Sequence, residues 1–84
     1  MDEPAESATR LREELNALGV QAQQVDLPGV SILSIYARLV VWCRGDAFQW
    51  AGEPEPYTHP VDDPAGAASR IAERFRELRN RRRR

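Results

Sequence analysis

Between Leu39 and Trp50 the chain reads LVVWCRGDAFQW, two runs of alternating character hinged on Gly45 and Asp46. Alternation with a period of two marks a strand, because successive side chains of a strand point to opposite faces of the sheet. A glycine at the first position of a two-residue turn suits a tight hairpin. That turn sets the register: Arg44 lies opposite Ala47, Cys43 opposite Phe48, Trp42 opposite Gln49 and Val41 opposite Trp50. Leu39, Val41, Cys43, Phe48 and Trp50 then share one face, and Val40, Trp42, Arg44, Ala47 and Gln49 share the other. A slip of one residue would exchange the two sets. The hairpin therefore assigns its two tryptophans opposite fates, Trp50 to the core and Trp42 to the uncovered side.

The cover for the first face is read from the two ends of the chain. From Pro4 to Leu18 the apolar residues Ala8, Leu11, Leu15 and Leu18 recur at helical spacing, and Gly19 supplies the stop. Asp63 before Pro64 is an N-cap followed by a first-turn proline. Ala68, Ile71, Ala72, Phe75 and Leu78 then form a second stripe. The fold expected is α+β: a three-stranded antiparallel sheet with N- and C-terminal helices packed on one face, in the order α-β-β-β-α. The strands are expected near 30–35, 39–44 and 47–51. VQAQQV (20–25) is at most a short irregular edge strand, and the proline-dense 52–64 stretch is expected to lack regular structure. Residues 4–79 make a single domain, with 1–3 disordered and 80–84 a basic tail.

With 84 residues, such a domain buries only about 60–65% of the surface its unfolded chain exposes. Cys43 is the single cysteine, which excludes an internal disulfide and a cysteine-based zinc cluster. Self-association is the stabilising device that remains. Charge is polarised along the chain: residues 1–63 hold 4 Arg against 11 Asp and Glu, whereas 64–84 hold 8 Arg against 2 Glu. All twelve basic residues are arginine, a usage that GC-rich coding explains without phosphate recognition. The acidic start has no secretion-signal pattern and no apolar run is long enough for a membrane span, so a soluble, cytoplasmic protein without membrane contact is expected.

Trp42, with Val40, Arg44, Gln49 and, depending on the register of the first strand, Ile32 or Leu33 around it, is the expected partner-binding patch, because a large exposed aromatic among aliphatics usually marks a contact surface. The competing reading is that the 52–63 segment folds over it, with Tyr57 as cover. A second candidate is the arginine run Arg74, Arg76, Arg79, Arg81, Arg82, Arg83 and Arg84, which suits nucleic-acid phosphates but equally suits the negative end of a helix. His59 beside Asp62 and Asp63, or paired with Cys43, would be the nearest approach to acid–base or nucleophilic chemistry. A histidine before proline is ordinarily a loop residue, and an inward thiol is inert. No catalytic, metal or cofactor site is therefore expected.

The strand LVVW, the Gly-Asp turn, the aromatic return strand and the helix DDPAGAASRIAERFRELR together resemble a group of small actinobacterial proteins with no assigned activity, over roughly residues 11 to 79. The resemblance implies a regulatory accessory role, since such proteins are often encoded near helix-turn-helix regulators, and it carries over no functional residue. The element order is also similar to the double-stranded-RNA-binding fold, which grips phosphate with basic residues at the start of its last helix. Here that stretch is Asp62, Asp63, Pro64, Ala65 and Gly66, acidic or neutral. The expected function is a non-enzymatic protein-interaction module, a dimerising regulatory accessory whose partner is a second copy or a regulatory protein. The alternative is a nucleic-acid-binding accessory acting through the arginine-rich helix and tail.

Overall fold

The computed structural model describes residues 4–35, 39–52 and 55–82. In chain order the elements are α1 (Pro4–Ala17), β1 (Gln23–Leu27), β2 (Val30–Ser34), β3 (Val40–Arg44), β4 (Ala47–Trp50), β5 (Tyr57–Pro60) and α2 (Pro64–Arg82). The strands form one antiparallel meander in the order β1-β2-β3-β4-β5. The central hairpin has the register its turn requires: Arg44 faces Ala47, Cys43 faces Phe48, Trp42 faces Gln49 and Val41 faces Trp50.

Both helices lie on the face that carries Leu33, Val41, Cys43, Phe48 and Trp50, all of them buried against Leu11, Leu15 and Ile71 in one cluster. α1 buries Ser7, Ala8, Leu11 and Leu15, one side of a helix at 3.6 residues per turn. It closes through the left-handed Gly19 (φ 81). There the Val20 N–H bonds to Leu15 O at 2.9 Å and the Gly19 N–H to Asn16 O at 3.0 Å, a Schellman motif that turns the buried Val20 back onto the core. Leu18 was expected in the buried stripe but is 43% exposed; the helix ends at Ala17, so Leu18 leaves the helical phase. In α2, Ala67, Ala68, Ile71 and Ala72 are buried, and Phe75 and Leu78 pack partly against them.

The expected three strands are corrected to five, and the α-β-β-β-α order shared with the double-stranded-RNA-binding fold is not the order found. Both additions are edge strands. β1 reads QQVDL, polar enough that its own propensity says little. It forms because Pro28 and Gly29, the latter at φ 78, make a two-residue turn that folds it back on β2, pairing Leu27 with Val30 and Val25 with Ile32. β5 lies in the stretch expected to be irregular. Its Pro60 is tolerated because the position pairs with Ala47 at the sheet edge, where no neighbouring strand requires the missing N–H. Residues 1–3, expected to be disordered, lie outside the described residues, and α2 carries the chain from the expected tail boundary at 80 onward to Arg82. Among the described residues, no helix is long and apolar enough to cross a membrane.

Because Phe48 is fully buried at the centre of this face, Phe48→Ala should cost about 3–5 kcal/mol of stability. Urea unfolding followed by circular dichroism should show the midpoint fall with the slope unchanged.

Candidate functional site

The face of the sheet away from the helices is nearly free of charge. Its central row runs Val25, Ile32, Trp42, Gln49 and Thr58 across the five strands. Leu27 and Val30 lie on one side of that row with Arg44, Ala47 and Pro60, and Ser34 and Val40 lie on the other. In a chain that is 30% charged, Arg44 is the one charged residue in these rows. Its guanidinium lies over the Trp42 ring, 5.7 Å from the centroid, a stack worth about 0.5–1 kcal/mol at an exposed site. Trp42 remains 39% exposed, with Val25 at 50% and Leu27 at 48%.

The structure thus brings together Val40, Trp42, Arg44 and Gln49, which the hairpin alternation places there, and adds Ile32 from β2, with Leu33 turned to the core. Sequence reasoning missed Val25 and Leu27, whose signal lay in the Pro28-Gly29 turn that β1 shares with β2. Tyr57 does not cover Trp42. It pairs with Trp50 on the helix face, the two rings 5.9 Å apart and tilted by 42°.

On that opposite face, Arg70 of α2 ties the helix to β5. Its guanidinium carbon stands 5.2 Å from the Trp50 centroid and 5.5 Å from that of Tyr57. Its Nη1 donates to Thr58 O at 3.0 Å and approaches His59 Nδ1 at 3.1 Å. His59 Nε2 lies 2.9 Å from Asp63 Oδ2. A neutral imidazole protonated on Nε2 satisfies both neighbours at once, accepting from Arg70 and donating to Asp63. Asp63 Oδ1 in turn accepts the Gly66 N–H at 3.2 Å, which is the N-cap read from the sequence. These bonds hold the Asp63 carboxyl below its ordinary value, His59 first and the Gly66 amide second. Glycine suits position 66 because a Cβ there would press on Asp63 Oδ2 and come within 3.0 Å of His59 Nε2.

His59 is therefore a strand residue engaged in fastening α2. Cys43 and His59 share a cross-strand row with Phe48 between them, about 10 Å apart at the usual strand spacing, so they form no nucleophile–base pair. Burial pushes the Cys43 thiol up to about 12, with the Asp26 charge adding to it. Among the described residues, no group of three His, Cys, Asp or Glu side chains could hold a metal ion.

The arginines of α2 are distributed around the helix. Positions 74 and 76 are separated by about 200° of helical turn and 74 and 79 by about 140°. Arg74 pairs with Glu77 at 3.3 Å, while Arg79 lies 5.6 Å from the Phe75 ring centroid and Arg76 is exposed. Arg81 and Arg82 lie within α2, their side chains outside the described set, and Arg83 and Arg84 lie outside the described residues.

Two outcomes are expected from this geometry. Asp63 has its folded-state value lowered from 3.8, so its stabilisation is present above about pH 4 and is lost as pH falls through the lowered value. Asp63→Asn keeps a competent cap and should flatten that part of the stability profile, as denaturant midpoints between pH 7 and pH 2 would show. Cys43, fully buried, should resist a thiol reagent such as iodoacetamide in the native protein and react fully once unfolded; rapid native labelling would contradict the packing described. Comparison of the chain with protein-family models, with curated proteins and with solved structures finds no match.

Proposed function

We infer that the chain is a non-enzymatic interaction module that works as a homodimer and presents its open sheet face to a regulatory protein. The observation that carries this reading is the exposure of Trp42 on a face with one charge, in line with Val25 and Ile32. A tryptophan there costs solvation in the free protein and repays it only when covered, which is why such residues dominate contact energies. The partner that fits is a protein surface apolar at its centre, with a carboxylate placed to meet Arg44. A small scaffold without a disulfide gains stability from association as well, which favours the homodimer.

The test is capture from the lysate of the source organism with three baits: the native chain, Trp42→Glu, and a chain lacking 81–84. Recovered proteins are purified and their affinities measured. Trp42→Glu should keep its fold, losing about 1 kcal/mol of stability with its stack on Arg44, and should weaken the partner by about thirtyfold or more, as a hot-spot residue does. Unfolding by Trp42→Glu would place that side chain in the core and overturn the reading. Nucleic acid recovered by the native chain and lost with residues 81–84 would instead make the arginine run the functional site.

A further inference from the structure

The two edges of the sheet differ. Hydrogen-bonding parity follows from two contacts: the Ile35 N–H bonds to Leu39 O at 2.8 Å, and the Val61 N–H to Asp46 O at 3.1 Å. Because an antiparallel strand bonds to alternate sides at successive residues, Thr58 and Pro60 direct their backbone groups away from β4, and Gln24 and Asp26 direct theirs away from β2. The β5 edge is largely closed, the Thr58 N–H being the one outward group of Thr58 and Pro60 without a partner among the described residues. Pro60 has no N–H, its carbonyl accepts the Asp63 N–H at 3.3 Å, and Thr58 O accepts from Arg70. Among the described residues, no partner meets the outward N–H and C=O groups of Gln24 and Asp26. β1 carries none of the proline, lysine or bulge that usually blunts an open edge, and its one charge, Asp26, is already held by Gln24 and Ser31.

We propose that the β1 edge is the seam of a homodimer, in which two copies pair antiparallel about a two-fold axis at Val25 and join their sheets into one. The inference rests on the homodimer reading above and assigns it a surface. Self-complementarity selects the axis. Centred on Val25, Gln24 faces the partner's Asp26 on both sides of the axis, and every outward N–H finds an outward carbonyl. Centred on Asp26, the two carboxylates would oppose each other directly, which is unfavourable. Centred on Gln24, Asp26 would face the partner's Ala22. The Gln24 amide spends both its hydrogens within its own chain, on Asp26 at 2.8 Å and on Thr9 Oγ1 and Ala5 O of α1 at 3.2 and 3.3 Å, so the seam is carried by backbone groups and Gln24 stands beside the partner's Asp26 as a neutral neighbour. On the open face, Val25 meets the partner's Val25, and the row through Ile32 and Trp42 continues into its symmetry mate.

The experiment is cross-linking by register together with sedimentation equilibrium. A non-hydrogen-bonded antiparallel pair holds its Cα atoms about 4.5 Å apart, within disulfide reach, so Val25→Cys with oxidised glutathione should give a covalent dimer. Leu27→Cys alone should not, since its own copy lies about 13 Å away along the strand, but mixed with Gln23→Cys it should. Cys43 is buried and takes no part. Gln24→Glu should weaken the native dimer about tenfold by setting like charges opposite, and adding Asp26→Gln should restore it. A chain that is monomeric throughout a concentration series overturns both the homodimer reading and the seam. A dimer that Gln24→Glu leaves intact and Val25→Cys fails to lock overturns the seam alone, as does a β1 edge that takes up an unrelated extended peptide in place of a second copy.

Discussion

The pleat of the β3–β4 hairpin is the constraint on which the rest of this structure depends. Once Gly45 and Asp46 place Cys43 against Phe48 and Val41 against Trp50, four side chains must be covered from one direction. Both helices are spent on that task. The burial of Leu11, Leu15 and Ile71 and the bending of Val20 back over the core serve the same apolar layer. The reverse of the sheet is left with Trp42 because the period of a strand allows no other outcome. The buried face and the open face are thus two consequences of one alternation, and a slip of one residue would exchange them.

This coupling also explains which parts of the fold are legible from residues alone. The hairpin register, the inward set and the outward Trp42 follow from local chemistry, as does the Asp63-Pro64 helix start, where carboxylate and proline each answer a property of a helix N-terminus. β1 and β5 are less legible because neither is apolar or alternating enough to declare itself. Each becomes a strand by having a neighbour to pair with, and pairing is a property of the assembled sheet. The same limit hid Val25 and Leu27 from the open face. It also hid the position of Arg70, whose contacts with Trp50, Tyr57, Thr58 and His59 join residues distant in sequence.

Charge is sorted by face in a corresponding way. The helix side of the sheet carries the polar fastenings: Gln24 donates to Asp26 at 2.8 Å and reaches Ala5 O of α1 at 3.3 Å, and Ser31 donates to Asp26 at 2.8 Å. Gln24, Ser31 and the Arg12 charge hold the Asp26 carboxyl below its ordinary value. At the far side of the sheet, His59, Asp63 and Arg70 do similar work between β5 and α2. Among the described residues the open face keeps Arg44 alone, laid along Trp42. Polar fastenings at both margins thus supplement the apolar packing of the helices.

The inequality of the two edges has a consequence for assembly size. A sheet whose two margins were both receptive could add copies without limit, and its product would be a fibril. With Arg70, Pro60 and the Asp63 amide occupying most of the β5 margin, a second copy joined at β1, as proposed, would use up the more receptive edge of each sheet. In that assembly stoichiometry would be set by a guanidinium and a ring nitrogen at the margin that takes no part in the contact, a chain terminator built into the opposite side of the fold.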